Sequence, residues 1–297
     1  MNSETRNRNI GILLATGSAI LFSLKGIILK VAFSHGASVD QMMALRATFA
    51  LPFFLIVGVL AYRKGTVRVT RKMFLVAVSL GILGYYVCSW LDFSGLKYIS
   101  AQLERLILFL YPTITALLAW VFLGDRITWR HVMALVLSYS GIAVLVSHEI
   151  GQLGPDAILG AGLVFAAAVL FAVYVTAAKP VISRLSAPLY TSIAMTGASI
   201  VILGLFAGQT VMSDAPAMPP LIWGLGFLLA TLCTVAPAFM MSDAIGRIGP
   251  GLTSAVGGLG PPTTALMAVI FLSEPFGGAQ ILALLLTVSG VLLLSKR

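Results

Sequence analysis

Charge is scarce in this chain of 297 residues: 10% are Asp, Glu, Lys or Arg, against roughly a quarter in soluble domains. Apolar residues make up 59%, more than a soluble protein of this length could hide from water. Cysteine is scarcer still. Cys88 and Cys233 are the only two, both in apolar stretches, so they read as small apolar side chains with no disulfide framework. The chain has no Walker A loop and no polar domain to hold a nucleotide, which argues against ATP-driven pumping. It also lacks His-Glu-x-x-His, Gly-x-Ser-x-Gly and paired membrane aspartates in a catalytic context. His35, His131 and His148 are too scattered to be metal ligands, and no cofactor is expected.

Long apolar runs are abundant. A bilayer span needs about 20 mostly apolar residues, and ten segments qualify, near 10–33, 39–61, 73–93, 99–123, 130–148, 157–179, 188–208, 219–242, 249–272 and 278–295. The fold class expected is an all-α membrane protein. The first run is too long for a signal-peptide core and shows no cleavage site, so it is expected to stay as a helix. The formal charge of +9 does not call for nucleic acid. Arg6, Arg8, Arg63, Lys64, Arg68, Arg71, Lys72, Arg126, Arg130, Lys179, Arg184, Arg247, Lys296 and Arg297 all fall on one side of the ten spans. Only Lys30 and Lys97 fall on the other. By the positive-inside rule both termini are expected in the cytoplasm.

The chain also repeats itself at a constant shift of 149 residues. Pro112-Thr113-Ile114-Thr115-Ala116-Leu117 with Phe122-Leu123-Gly124-Asp125 returns as Pro261-Pro262-Thr263-Thr264-Ala265-Leu266 with Phe271-Leu272-Ser273-Glu274. Ser140-Gly141 falls on Ser289-Gly290, and Gly11 on Gly160. The units are 1–148 and 157–297, joined by 149–156. Five spans per unit is an odd number, so the second unit enters the membrane upside down. Two inverted five-helix repeats are the arrangement that permits alternating access, with the substrate site between them.

These unit ends carry a resemblance. Tyr111-Pro112-Thr113, Gly124-Asp125 and Ser140-Gly141, with their counterparts Pro261-Pro262-Thr263, Ser273-Glu274 and Ser289-Gly290, resemble the ten-helix EamA-like branch of the drug/metabolite transporter superfamily. The likeness covers nearly the whole chain. Asp125 stands where the family usually has Glu, and Pro275 where a basic residue is common. The resemblance implies transport of metabolites in a bacterial inner membrane without naming the cargo.

Five ionisable residues fall inside predicted spans: Lys25, Arg46, Asp92, Glu104 and Arg105. Each would cost up to about 3 kcal/mol if unpaired at the bilayer centre, so they should face water or one another. Their counterparts at the 149-residue shift are Tyr174, Met195, Met241, Thr253 and Ser254, so the fold does not demand the charges. Three positive charges against two negative suit a carboxylate or phosphate on the cargo. Glu104 and Asp92 are candidates to carry a proton, a role a neighbouring Arg opposes; proton coupling stays open. Helical spacing adds Ser18 to the face of Lys25, Tyr85 and Cys88 to that of Asp92, and Tyr111 and Thr115 to that of Glu104. The run Gly257-Gly258-Leu259-Gly260-Pro261-Pro262 should interrupt its helix, either beside the cavity or as a packing kink. Asp125 and Glu274, at helix ends where an acid is unfavourable, are expected to pair with or cap a neighbouring helix.

The leading reading is therefore a secondary transporter for small organic solutes, amino-acid-like or otherwise carboxylate-bearing, working as an exporter. Its expected partners are the solute and the lipid bilayer, as a monomer. An intramembrane enzyme acting on a lipid-linked or small molecule is the alternative. A channel is disfavoured by the inverted duplication and the absence of a recognisable filter.

Overall fold

A computed structural model of the chain describes residues 3–65, 69–123, 129–212 and 218–295. Arg68, Asp125, Arg126, Asp214, Lys296 and Arg297 lie outside them, as do the side chains of Arg130, His131 and Lys179. Helices dominate, and no strand forms among the described residues. Helix α1 covers Ser3–Ser34, α2 Val39–Lys64 and α3 Arg71–Gly81, which passes through a π-helical segment, Ile82–Val87, into α4, Cys88–Gly95. There follow α5 (Ala101–Leu108), α6 (Tyr111–Leu123), α7 (Trp129–Leu153), α8 (Asp156–Leu185), α9 (Ala187–Met212) and α10 (Pro220–Ala230). A second π segment, Thr231–Val235, leads into α11 (Ala236–Gly257), then α12 (Gly260–Leu272) and α13 (Gly278–Ser295). Seven described helical stretches are long and apolar enough to cross a membrane. The chain is a multi-pass membrane protein.

Local chemistry sets several boundaries. Ser38 and Gln41 form a reciprocal capping box that starts α2, and Thr70 and Ser100 cap α3 and α5. The span expected at 99–123 is broken after Leu108, because Pro112 has no N–H to donate and its ring clashes with the carbonyl four residues earlier. The break expected around Gly257–Pro262 is present, between α11 and α12.

The expected separation near residues 243–248 takes another form. Helix α11 extends over Ala236–Gly257, although Pro250 within it has no N–H to donate, and the packing partners on α1 reverse along it. Ser18 meets Pro237, a Cβ on Gly11 would touch Ile248, and Ser23 then meets Gly260. Residues 11 and 23 lie about 18 Å apart along a straight helix, so the chain turns back between Ile248 and Gly260.

Both π segments and both mid-span breaks recur at the 149-residue shift. The π segments begin at Ile82 and Thr231, and the helix breaks fall after Leu108 and Gly257. The packing is reciprocal as well. Ser138 Oγ donates to the Thr287 carbonyl and Thr287 Oγ1 to the Ser138 carbonyl, each at 3.4 Å. A Cβ on Gly141 would lie 2.7 Å from the Ala283 oxygen, and one on Gly290 2.7 Å from the Ala134 oxygen. These glycines let α7 and α13 approach to backbone contact, the small-residue packing that serves where lipid removes the hydrophobic drive.

The outside is apolar, with Leu55, Ile56, Ile200, Leu282 and Leu285 exposed, as lipid requires. Trp90, Trp129 and Trp223 are exposed too, as interfacial anchors would be. Inside, Leu29, Ala32, Met42, Phe93 and Leu96 are fully or almost fully buried and pack as one cluster beyond Lys25.

Candidate functional site

Between the two halves lies a cavity of about 180 Å³, far above the 10–15 Å³ that one water needs. Both π segments contribute to its wall: Gly84 and Tyr85 from the first, Cys233 and Thr234 from the second. Such segments shift side chains off the regular α-helical register and recur at functional sites. Five pairs of wall residues are related by the 149-residue shift: Phe22 with Phe171, Gly84 with Cys233, Tyr85 with Thr234, Asp92 with Met241, and Leu108 with Gly257.

The charges gather on one side. Lys25 Nζ bonds Asp92 Oδ2 and lies 2.9 Å from Glu104 Oε1, so one ammonium serves two carboxylates. Asp92 and Glu104 are 5% and 1% exposed, deep enough that an unpaired charge would be costly. Asp92 Oδ1 is buried without a hydrogen-bond partner. Arg46 donates to the Tyr85 carbonyl at 2.8 Å and to Ser89 Oγ at 3.1 Å, with its guanidinium 5.1 Å from the Phe93 ring centroid. That places it over an aromatic face as well as on neutral acceptors.

Arg105 differs from both. Its guanidinium packs on Gly260, where a Cβ would stand 2.7 Å from Nη2, and its Nε is buried without a partner. Among the described residues no carboxylate forms an ion pair with it. Across the cavity an aromatic row runs from Tyr111 to Phe171 (5.3 Å between centroids), to Tyr174 (5.7 Å) and to Tyr85 (5.6 Å).

Of the residues expected on the path, Lys25, Arg46, Tyr85, Asp92, Arg105, Tyr111 and Gly257 line the cavity. Glu104 stands behind Lys25 and reaches the site through the ion pair. Tyr174 lies behind the wall, stacked on Tyr85 and Phe171. Ser18 is fully buried and donates to the Pro237 carbonyl, which makes it a packing contact between α1 and α11. Pro261 is buried outside the lining, and Thr115 Oγ1 is buried without a partner.

Sequence reasoning missed Phe22, Ser89, Phe109, Phe171 and Thr234, all on the wall. The repeat carried a signal for Thr234, the counterpart of Tyr85. Met241 and Thr253, the neutral counterparts of Asp92 and Glu104, line the same cavity. Among the described residues no group of three or more His, Cys, Asp or Glu side chains could hold a metal ion.

Comparison with known proteins agrees with this architecture. The model of the EamA-like transporter family matches twice, over residues 9–147 and 158–296. An uncharacterized transporter, YcbK of Bacillus subtilis (strain 168), is 24% identical over 286 residues, covering 94% of this chain and 91% of its own. A protein of Streptantibioticus cattleyicolor described as a probable terminal-alkyne amino-acid exporter is 27% identical over 215 residues, 68% of this chain and 67% of its own. A crystal structure with 20% identity superimposes with a TM-score of 0.64 over 96% of both chains, a likeness of fold alone.

Proposed function

The chain belongs to the EamA-like transporter family, and on that premise we propose that it is a secondary transporter that exports small carboxylate-bearing solutes, amino-acid-like ones above all, across the inner membrane by alternating access. The observation that carries this reading is Arg105: a cavity-lining guanidinium with an unpartnered Nε and, among the described residues, no carboxylate paired to it. A solute carboxylate would satisfy it with a charge-assisted hydrogen bond. Lys25 is already paired with Asp92 and Glu104, and Arg46 is held by the Tyr85 carbonyl, Ser89 and the Phe93 ring, which leaves Arg105 as the cavity-lining cation with capacity to spare.

Two inverted five-helix repeats, residues 1–148 and 157–297 joined by 149–156, form the frame. The reciprocal Ser138–Thr287 bonds and the paired π segments support it, because a two-fold relation between halves makes each contact occur twice. The basic loops support cytoplasmic termini. The printed description of the Streptantibioticus relative is in keeping with amino-acid-like cargo.

The test compares metabolites in medium and cytosol from cells expressing the wild type or Arg105→Ala. A carboxylate accumulating outside only with the wild type supports export and names the cargo. Depletion of that carboxylate from the medium would reverse the direction. Identical profiles, with both proteins in the membrane, would sink the reading.

A further inference from the structure

Two carboxylates outside the cavity, Glu149 buried and Glu274 partly buried, hold one short helix. The N-terminus of α5 presents its free N–H groups to Glu274, whose Oε1 accepts from Ala101 N at 2.8 Å and Oε2 from Gln102 N at 3.4 Å. The Gln102 side chain donates to the Pro275 carbonyl at 3.1 Å. From the opposite direction, Glu149 accepts from Ser100 N at 3.0 Å and from the Ser100 hydroxyl. Glu149 is 3% exposed. One turn further along α5 come Glu104, which meets Lys25, and Arg105, which lines the cavity.

We propose that Glu149 and Glu274 are the latch of the outer gate: they close the cavity by pinning α5, and release it when the transporter opens outward. The inference rests on the transport reading and on the orientation of the termini. Glu149 stands near the C-terminal end of α7, where the first half meets the connecting segment, while Glu274 follows α12 in the second half, so α5 is tied to both. A rocking motion of one half against the other must break at least one set of these bonds. Inward of the latch, the apolar cluster of Leu29, Ala32, Met42, Phe93 and Leu96 seals the Lys25 end of the cavity.

The repeat gives the latch a direction. At the 149-residue shift Glu274 corresponds to Asp125, and Ala101 corresponds to Pro250. Proline has no N–H, so an equivalent clamp at the cytoplasmic gate lacks the donor that Ala101 supplies. The outer gate therefore has a backbone donor that its counterpart position lacks.

The native cysteines allow a direct test. Cys88 and Cys233 both line the cavity, and the chain has no others. In a Cys233→Ala background, the rate at which a membrane-impermeant maleimide modifies Cys88 is measured from each face of sealed vesicles. With the latch intact, labelling from the outer face is slow. In Glu149→Gln, Glu274→Gln it should rise about tenfold, the shift produced by losing one or two charge-assisted hydrogen bonds. An unchanged outer rate, with cytoplasmic labelling retained as the sign of a folded protein, overturns the latch. A rise seen from the cytoplasmic face instead would reverse the orientation and leave the clamp standing. Should the double variant not reach the membrane, the single variants carry the same comparison with a smaller rise.

Discussion

At the contact between α7 and α13, Ser138 and Thr287 each donate to the other's carbonyl, and Gly141 and Gly290 each receive the opposing backbone. At the cavity the same duplicated sequence behaves differently. Lys25, Asp92, Glu104 and Arg105 come from the first half alone, and the second supplies Tyr174, Met241, Thr253 and Ser254 at the matching positions. The frame keeps what both copies need in order to pack. The charges survive in one copy, where their burial cost has to be offset by ion pairing or by a ligand.

The comparison is broken most severely at Lys25. Lys25→Met leaves Asp92 and Glu104 buried without their shared ammonium, at a cost of about 3–5 kcal/mol. Membrane yield and detergent melting temperature should both fall sharply. Adding Asp92→Asn and Glu104→Gln should restore the fold without restoring transport. A Lys25→Met protein as stable as the wild type would mean that the triad is already neutral.

Arg105→Gln removes a charge the fold does not pair. The expected result is normal folding with a KM for a carboxylate solute raised about ten- to a hundredfold, the range for a hydrogen bond to a charged group. Ser254→Ala, at the counterpart position, should leave KM unchanged. Equal effects at the two positions would abolish the asymmetry.

The frame predicts equality instead. Gly141→Val and Gly290→Val each force a side chain against opposing backbone, and each should cost about 1–3 kcal/mol in thermal unfolding. Ser138→Ala and Thr287→Ala should cost less, about 0.6 kcal/mol each, as interhelical bonds in membranes do. Unequal losses within either pair would show that α7 and α13 are not related as the reciprocal contacts imply.

Much of the frame could be read before the structure. Hydropathy identified a multi-pass membrane protein because lipid requires apolar surfaces, and seven of the described helices are long and apolar enough to span; the repeat exposed the duplication. The π segments were hidden, because a one-residue slip in backbone bonding leaves an apolar run unchanged. The break after Leu108 was missed although Pro112 marked it. The break at Gly257–Gly260 was legible because glycine and proline act together there. In the site, ionisable residues in apolar stretches identified Lys25, Arg46, Asp92 and Arg105, all of which line the cavity. Ser18 shared a helical face with Lys25 but points into a packing contact, since a face more than one residue wide meets both cavity and protein; Pro261, drawn from the glycine–proline run, is buried outside the lining. The capping expected of Glu274 is present; its partner α5 could not be known without the fold, because 173 residues separate Glu274 from Ala101.

The most direct test of the central claim, a carboxylate held by Arg105 in a cavity that opens alternately, is counterflow in proteoliposomes. Vesicles loaded with an unlabelled amino-acid-like carboxylate are placed in a trace of the same labelled solute. The account predicts saturable, transient accumulation by the wild type and its loss in Arg105→Gln. Linear flux that does not saturate, or counterflow undiminished in Arg105→Gln, would contradict it.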